Sequence, residues 1–167
     1  MTDTADQVAA LLERVQILED KAAIQEVLTA YGPAVDSGDA ETVETLWAED
    51  AVYDTDIRVM EGRDAIVEMV RTRPHQDYIN EGCGHLLDPV NIRLDGDTAV
   101  VTCHSLLLRR NLDADSFRVW RVSANRFDLA RIEGSWKIKR RTARVLDGTA
   151  AGHDLFARAS RSPATTL

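Results

Sequence analysis

The stretch GHLLDPVNIRLDGDTAVVTCHS (residues 84–105) decides how the second half of the chain is read. Asp95-Gly96 stands between two runs of alternating apolar residues, the composition of a two-residue β-turn, and predicts an antiparallel hairpin. With that turn, Leu94 faces Asp97, His85 faces Leu106 and His104 faces Leu87. Side chains alternate between faces, so His85 and His104 fall on one face as diagonal neighbours roughly 7 Å apart, within reach of one small ligand. Val90, Ile92, Ala99, Val101 and Cys103 take the other face. A three-residue turn at Asp95-Gly96-Asp97 would separate the histidines. Asn91, Thr98 and Thr102 accompany them, a polar set unusual for the inner face of a purely structural sheet and ordinary for a solvated one.

Outward from the hairpin, residues 117–132 read as a long strand, Glu133-Gly134 as a turn and SWKIKRRTARVL as a final strand with Trp136 and Ile138 in the core. The first half reads differently. Val8, Leu11, Leu12, Val15 and Leu18 recur at helical spacing, and a second stripe of Ile24, Val27, Leu28, Tyr31 and Val35 follows Asp20, a capping residue type. Pro33 and Gly38 predict a kink and a stop near Asp36 to Gly38. Asp39 then caps a short helix with Val43, Leu46 and Trp47 inward. AVYDTD alternates as a brief strand, and GRDAIVEMVRTR is a helix ending before Pro74. Helices followed by an antiparallel meander predict an α+β fold, a curved sheet covered by helices with a cavity between them. The expected boundaries are one domain over 1–155, with 1–20 a helical extension and 156–167 a disordered tail.

Composition narrows the partners. A net charge of −8 repels phosphate, which argues against nucleic acid and anionic membranes and leaves small molecules or proteins. No apolar run is long enough to span a bilayer and the acidic start MTDTADQ is not a signal peptide, so a cytoplasmic protein with Cys83 and Cys103 reduced is expected. HxH, HExxH and paired Cys/His spacings are absent, so no metal site is expected.

The order AAIQEVLTAYGPAVDSGDAETVETLWAEDAVY, GRDAI, GHLLDPVNIRLDGDTAVV and EGSWKI resembles the SnoaL-like branch of the nuclear-transport-factor-2-like superfamily, over roughly residues 10 to 150. That branch includes scytalone dehydratase, bile-acid 7α-dehydratase and a hexachlorocyclohexane dehydrochlorinase. The resemblance implies a cone-shaped, cystatin-like α+β barrel, no cofactor, and a homo-oligomer, trimeric or dimeric, with an apolar outer sheet face to cover. It also implies roles. Asp36 and His85 resemble the aspartate–histidine pair of these lyases, in which the carboxylate fixes the imidazole tautomer and the free nitrogen takes a proton from carbon. His104 resembles the second histidine of scytalone dehydratase, and VSANRFDLARIEGSWKI matches that enzyme's strand, implying Asn125 and Ser123 as substrate hydrogen-bond donors. Tyr31 resembles the tyrosine of the bile-acid enzyme, Arg144 falls about where that enzyme has an arginine, and Tyr53 lies near another tyrosine of scytalone dehydratase, which has a tyrosine where this chain has Val35.

The expectation is therefore a hydro-lyase, or a retro-aldol lyase, acting on a small, apolar, oxygenated cyclic or aromatic molecule. An isomerase or aldol cyclase would use the same dyad, and a non-catalytic binding protein or dioxygenase small subunit would not need it. Without the resemblance, Asp36 reads as a helix-terminus residue and Tyr31 as core. His75 and His153 read as surface residues.

Overall fold

The computed structural model describes residues 4–159. The N-terminal stripes form one helix, α1 (Thr4–Ser37), unbroken at residue 20 and with Pro33 inside it. Asp20 is therefore not a cap. It is buried in mid-helix, where its carboxylate accepts from Arg131 Nη2 at 2.5 Å and Trp136 Nε1 at 3.3 Å, pinning α1 to the far strands. Gly38 adopts φ +72° and ends the helix, and Asp39 caps α2 (Ala40–Leu46) by accepting from the Thr42 amide at 2.9 Å. Strands β1 (Trp47–Asp54) and β2 (Val59–Glu61) and helix α3 (Arg63–Arg71) follow. Next comes α4 (His75–Glu81), which the sequence pattern does not mark.

Five strands complete the sheet: β3 (Cys83–Leu87), β4 (Asn91–Asp95), β5 (Thr98–Arg110), β6 (Phe117–Ile132) and β7 (Ser135–Val145). The order is β2-β1-β7-β6-β5-β3, with β4 also on β5; β1 runs parallel to β7 and the other pairs are antiparallel. The sheet is curved and unclosed, and with the preceding helices it makes the expected α+β architecture. Its concave face holds the core, in which Ile24, Leu28 and Val35 of α1 meet Val101, Phe127, Leu129 and Ile138. Helix α5 (Ala150–Ala159) covers part of the other face, so the tail expected from residue 156 begins as helix; residues 160–167 lie outside the described residues.

The hairpin departs from expectation at two points. Its two-residue turn is Gly96-Asp97, with Asp95 opposite Thr98. Between β4 and β3, Asp88, Pro89 and Val90 oppose only Cys103 and His104, because Leu87 pairs with Ser105 while Asn91 pairs with Thr102. The shifted turn alone keeps both histidines on one face; the extra residue reverses this. His85 therefore faces Leu107, and His104 points out of the opposite side of the sheet.

Candidate active site

Asp36, in the last turn of α1, meets His85 on β3. Gly32 makes this approach possible: a Cβ there would lie 2.4 Å from the His85 carbonyl oxygen. The Asp36 carboxylate takes two hydrogen bonds from the one residue, His85 Nδ1 at 2.6 Å on Oδ1 and the His85 amide at 2.7 Å on Oδ2. Burial works against the charge of Asp36, but these bonds outweigh it and hold the carboxyl below its ordinary pKa. With Nδ1–H donated to the carboxylate, His85 Nε2 carries the lone pair.

Cys83 Sγ sits 3.4 Å from Asp36 Oδ1. Burial first, and the neighbouring carboxylate second, push its thiol up to about 11, so it stays protonated and donates to Asp36. Asp36, Cys83 and His85 present ligand-type atoms within 4.8 Å of one another. Cys83 and Cys103 are both free thiols.

His85 lines two adjoining cavities in the cone. The inner, of about 60 Å³, also meets Tyr31, Tyr53, Ser123 and Arg141. The outer, of about 290 Å³, adds an apolar wall that includes Met60, Met69, Tyr78 and Trp120. Tyr31 is buried, and burial raises its hydroxyl pKa well above the usual phenol range, so it remains a proton donor.

Arg141, which sequence reasoning missed, is the buried cation of the site. It is 4% exposed and lies within about 5 Å of the ring centres of Tyr31, Tyr53 and Phe127. Its Nε and Nη2 donate to Asn125 Oδ1 at 3.0 and 2.9 Å, a neutral acceptor. Asn125 is fully buried and gives its own amide hydrogens to Ser105 Oγ and the Ser123 carbonyl. It positions Arg141 and does not line either cavity. Arg144 points the other way, paired with Asp54 at 2.9 Å. The reason is an extra residue at Lys139, since Asp128 pairs with Arg140 while Leu129 pairs with Ile138; the bulge turns Arg141 inward and Arg144 outward.

His104 is absent from both cavities. It forms a second histidine–aspartate pair on the outer face, with its Nδ1 and amide both 2.7 Å from Asp88 and Phe156 of α5 against its ring. The expectation of a shared cavity is thus corrected. His75 is corrected in the opposite sense. Opening α4, it is buried, its ring centre lies 5.5 Å from that of His85, and its Nε2 donates to the Val35 carbonyl at 2.8 Å. Burial lowers its pKa, so it packs against His85 as a neutral ring. His153 is exposed.

A curved sheet roofed by a long helix, with an aspartate–histidine pair at the mouth of the cone, places the chain among cystatin-like α+β proteins. The SnoaL-like domain matches residues 16–142, and the chain belongs to that family. An NTF2-like protein with a cystatin-like fold from Novosphingobium aromaticivorans is 37% identical, with a TM-score of 0.83 over 93% of this chain and 97% of its own. A putative scytalone dehydratase from the same organism is 21% identical (TM-score 0.63, covering 77% and 85%). The LinA-type3 hexachlorocyclohexane dehydrochlorinase of Novosphingobium barchaimii is 16% identical (TM-score 0.69, covering 80% and 90%). Those two likenesses are of fold. No curated protein matches the chain. Among the described residues, no helix is long and apolar enough to cross a membrane.

Proposed function

We propose that the protein is an acid–base lyase that eliminates water from a small, largely apolar, oxygenated cyclic or aromatic molecule. The observation that carries this reading is the doubly hydrogen-bonded Asp36–His85 pair opening onto a cavity that also holds Tyr31 and the buried Arg141. His85 Nε2 takes the proton from a carbon next to a carbonyl or aryl group, and Asp36 stabilises the imidazolium that results. The electron pair left on carbon delocalises onto the carbonyl oxygen, which Arg141 and Tyr31 stabilise. The pair then returns to form the double bond as the carbon–oxygen bond to the hydroxyl breaks. That hydroxyl leaves as water with the proton from His85. Tyr53 and Ser123 orient the ring from the inner cavity, and the apolar outer wall takes its unreactive part.

The test is a panel of cyclic and aryl β-hydroxycarbonyl compounds, with products followed by mass spectrometry for wild type, His85→Ala and Asp36→Asn. Loss of water by the wild type alone supports the reading. Release of an aldehyde would reassign the pair to retro-aldol cleavage, a change of structure without change of mass to isomerisation, and equal turnover by all three proteins would sink it.

A further inference from the structure

The N-terminal arm of α1 has a use that the cavity does not explain. Every residue from 4 to 19 is exposed, including Val8, Leu11, Leu12, Val15 and Leu18. At about 100° per residue, this stripe lies roughly 180° around the helix from Ile24, Leu28, Tyr31 and Val35, which pack on the chain's own sheet. The stripe is therefore not an unfinished part of the domain core. It faces away from the protein.

The stripe is also a heptad. Val8, Val15 and Ala22 occupy a positions, and Leu11 and Leu18 occupy d; the two valines at a with leucine at d are the combination that favours two parallel strands. The next d and a residues, Gln25 and Thr29, are polar, so the seam ends where packing on the sheet begins. Asp20, anchored on Arg131 and Trp136, falls at f, the position farthest from the seam. The flanks select direction. Arg14 and Lys21 are at g, while Glu19 and Glu26 are at e. A parallel pair sets each g cation against the following e carboxylate of its mate, whereas an antiparallel pair opposes g to g and e to e, like charge to like.

We propose that residues 4–22 of two copies of this chain form a parallel two-stranded coiled coil, with the two domains splayed to opposite sides of it. The occupant of the exposed stripe is a second copy, selected by the charge match of Arg14 with the partner's Glu19 and Lys21 with the partner's Glu26.

Sedimentation equilibrium of the full chain tests this. The wild type should have twice the chain mass, and Leu11→Glu/Leu18→Glu, with unchanged circular dichroism beyond the arm's own contribution, a single chain mass. Arg14→Glu should weaken the dimer, and Arg14→Glu/Glu19→Arg should restore it, a rescue that misfolding cannot imitate. Leu11→Cys should cross-link with itself on oxidation, since d lies against d in a parallel pair. A monomeric wild type, a dimer that survives the double glutamate variant, or a Leu11→Cys protein that does not cross-link would each overturn the proposal.

Discussion

Gly32 of α1 lies directly against the carbonyl of His85 on β3, so close that a Cβ would stand 2.4 Å from the oxygen. Two effects compete when alanine replaces this glycine. Alanine is favoured in a helix interior by about 1 kcal/mol. Against that, the neighbour is backbone and cannot rotate aside, so the helix must retreat, an overpacking cost of about 1–3 kcal/mol. The clash should prevail. Gly32→Ala is expected to unfold at lower urea concentration and, where still folded, to turn over more slowly because Asp36 is drawn away from His85. Urea titration with activity at matched folded fraction checks both parts.

The Asp36 carboxyl is half-buried, which opposes its charge, yet the His85 ring and amide hold its pKa below the ordinary value. A lowered folded pKa means stability that is fully present above the unfolded aspartate value of about 3.9 and is lost as pH falls through the lower folded value. Asp36→Asn removes that titration. Its stability should fall less steeply on the acid side than that of the wild type, while turnover near neutrality falls by about 10²- to 10⁴-fold. Thermal melts across that acid range and a rate at neutral pH measure the two separately.

His75 has the same sign in a different window. Burial lowers its pKa, so the folded protein holds it neutral while the unfolded chain protonates near its ordinary value of about 6.5. Stability from this residue is present above that value and declines as pH falls toward the folded pKa. His75→Gln, whose amide can still donate to the Val35 carbonyl, is expected to flatten the fall in melting temperature between neutral and mildly acidic pH. An unchanged slope would place the titration elsewhere.

Most of the cone was legible because it rests on local pattern: the α1 stripe from Ile24 to Val35, the Asp39 cap and the existence of β6 and β7 as strands each follow from local rules. Two differences at the site, those of His104 and Arg141, have the same physical cause. Continuous alternation carries His104 to the side of His85, and carries Arg140 and Arg144 inward after Trp136 and Ile138. One extra residue at Asp88–Pro89–Val90 reverses the first, and one at Lys139 reverses the second, bringing in Arg141. A bulge is a long-range event, set by sheet curvature, and leaves little local signature beyond Pro89. Gly32 did carry a signal, a glycine inside an apolar helical stripe. The missed α4 is short and lacks a side-chain cap, so nothing local marks His75 as buried. The outward position of His104 gives a sharp expectation: His104→Ala should leave turnover unchanged where His85→Ala abolishes it, and only its melting temperature should move, through the lost contacts with Asp88 and Phe156. Comparing the two variants on the same substrate decides whether the outer pair takes part.

Arg141 offers the cleanest electrostatic test. Its charge is permanent, since a guanidinium does not lose its proton at any working pH, and its fork is held by Asn125 Oδ1 between aromatic rings. Lysine at this position keeps a cation but loses the fork and the stacking, and burial among Tyr31, Tyr53 and Phe127 would drive an ammonium pKa down. If the cation stabilises a developing oxyanion, Arg141→Lys should be slower by about 10²- to 10³-fold and should acquire an alkaline limb that the arginine cannot produce. The sign follows from the charge: activity is retained below the depressed lysine pKa, where the ammonium survives, and is lost above it. A pH–rate profile of Arg141→Lys that parallels the wild type would show that the buried charge serves the fold and not the reaction.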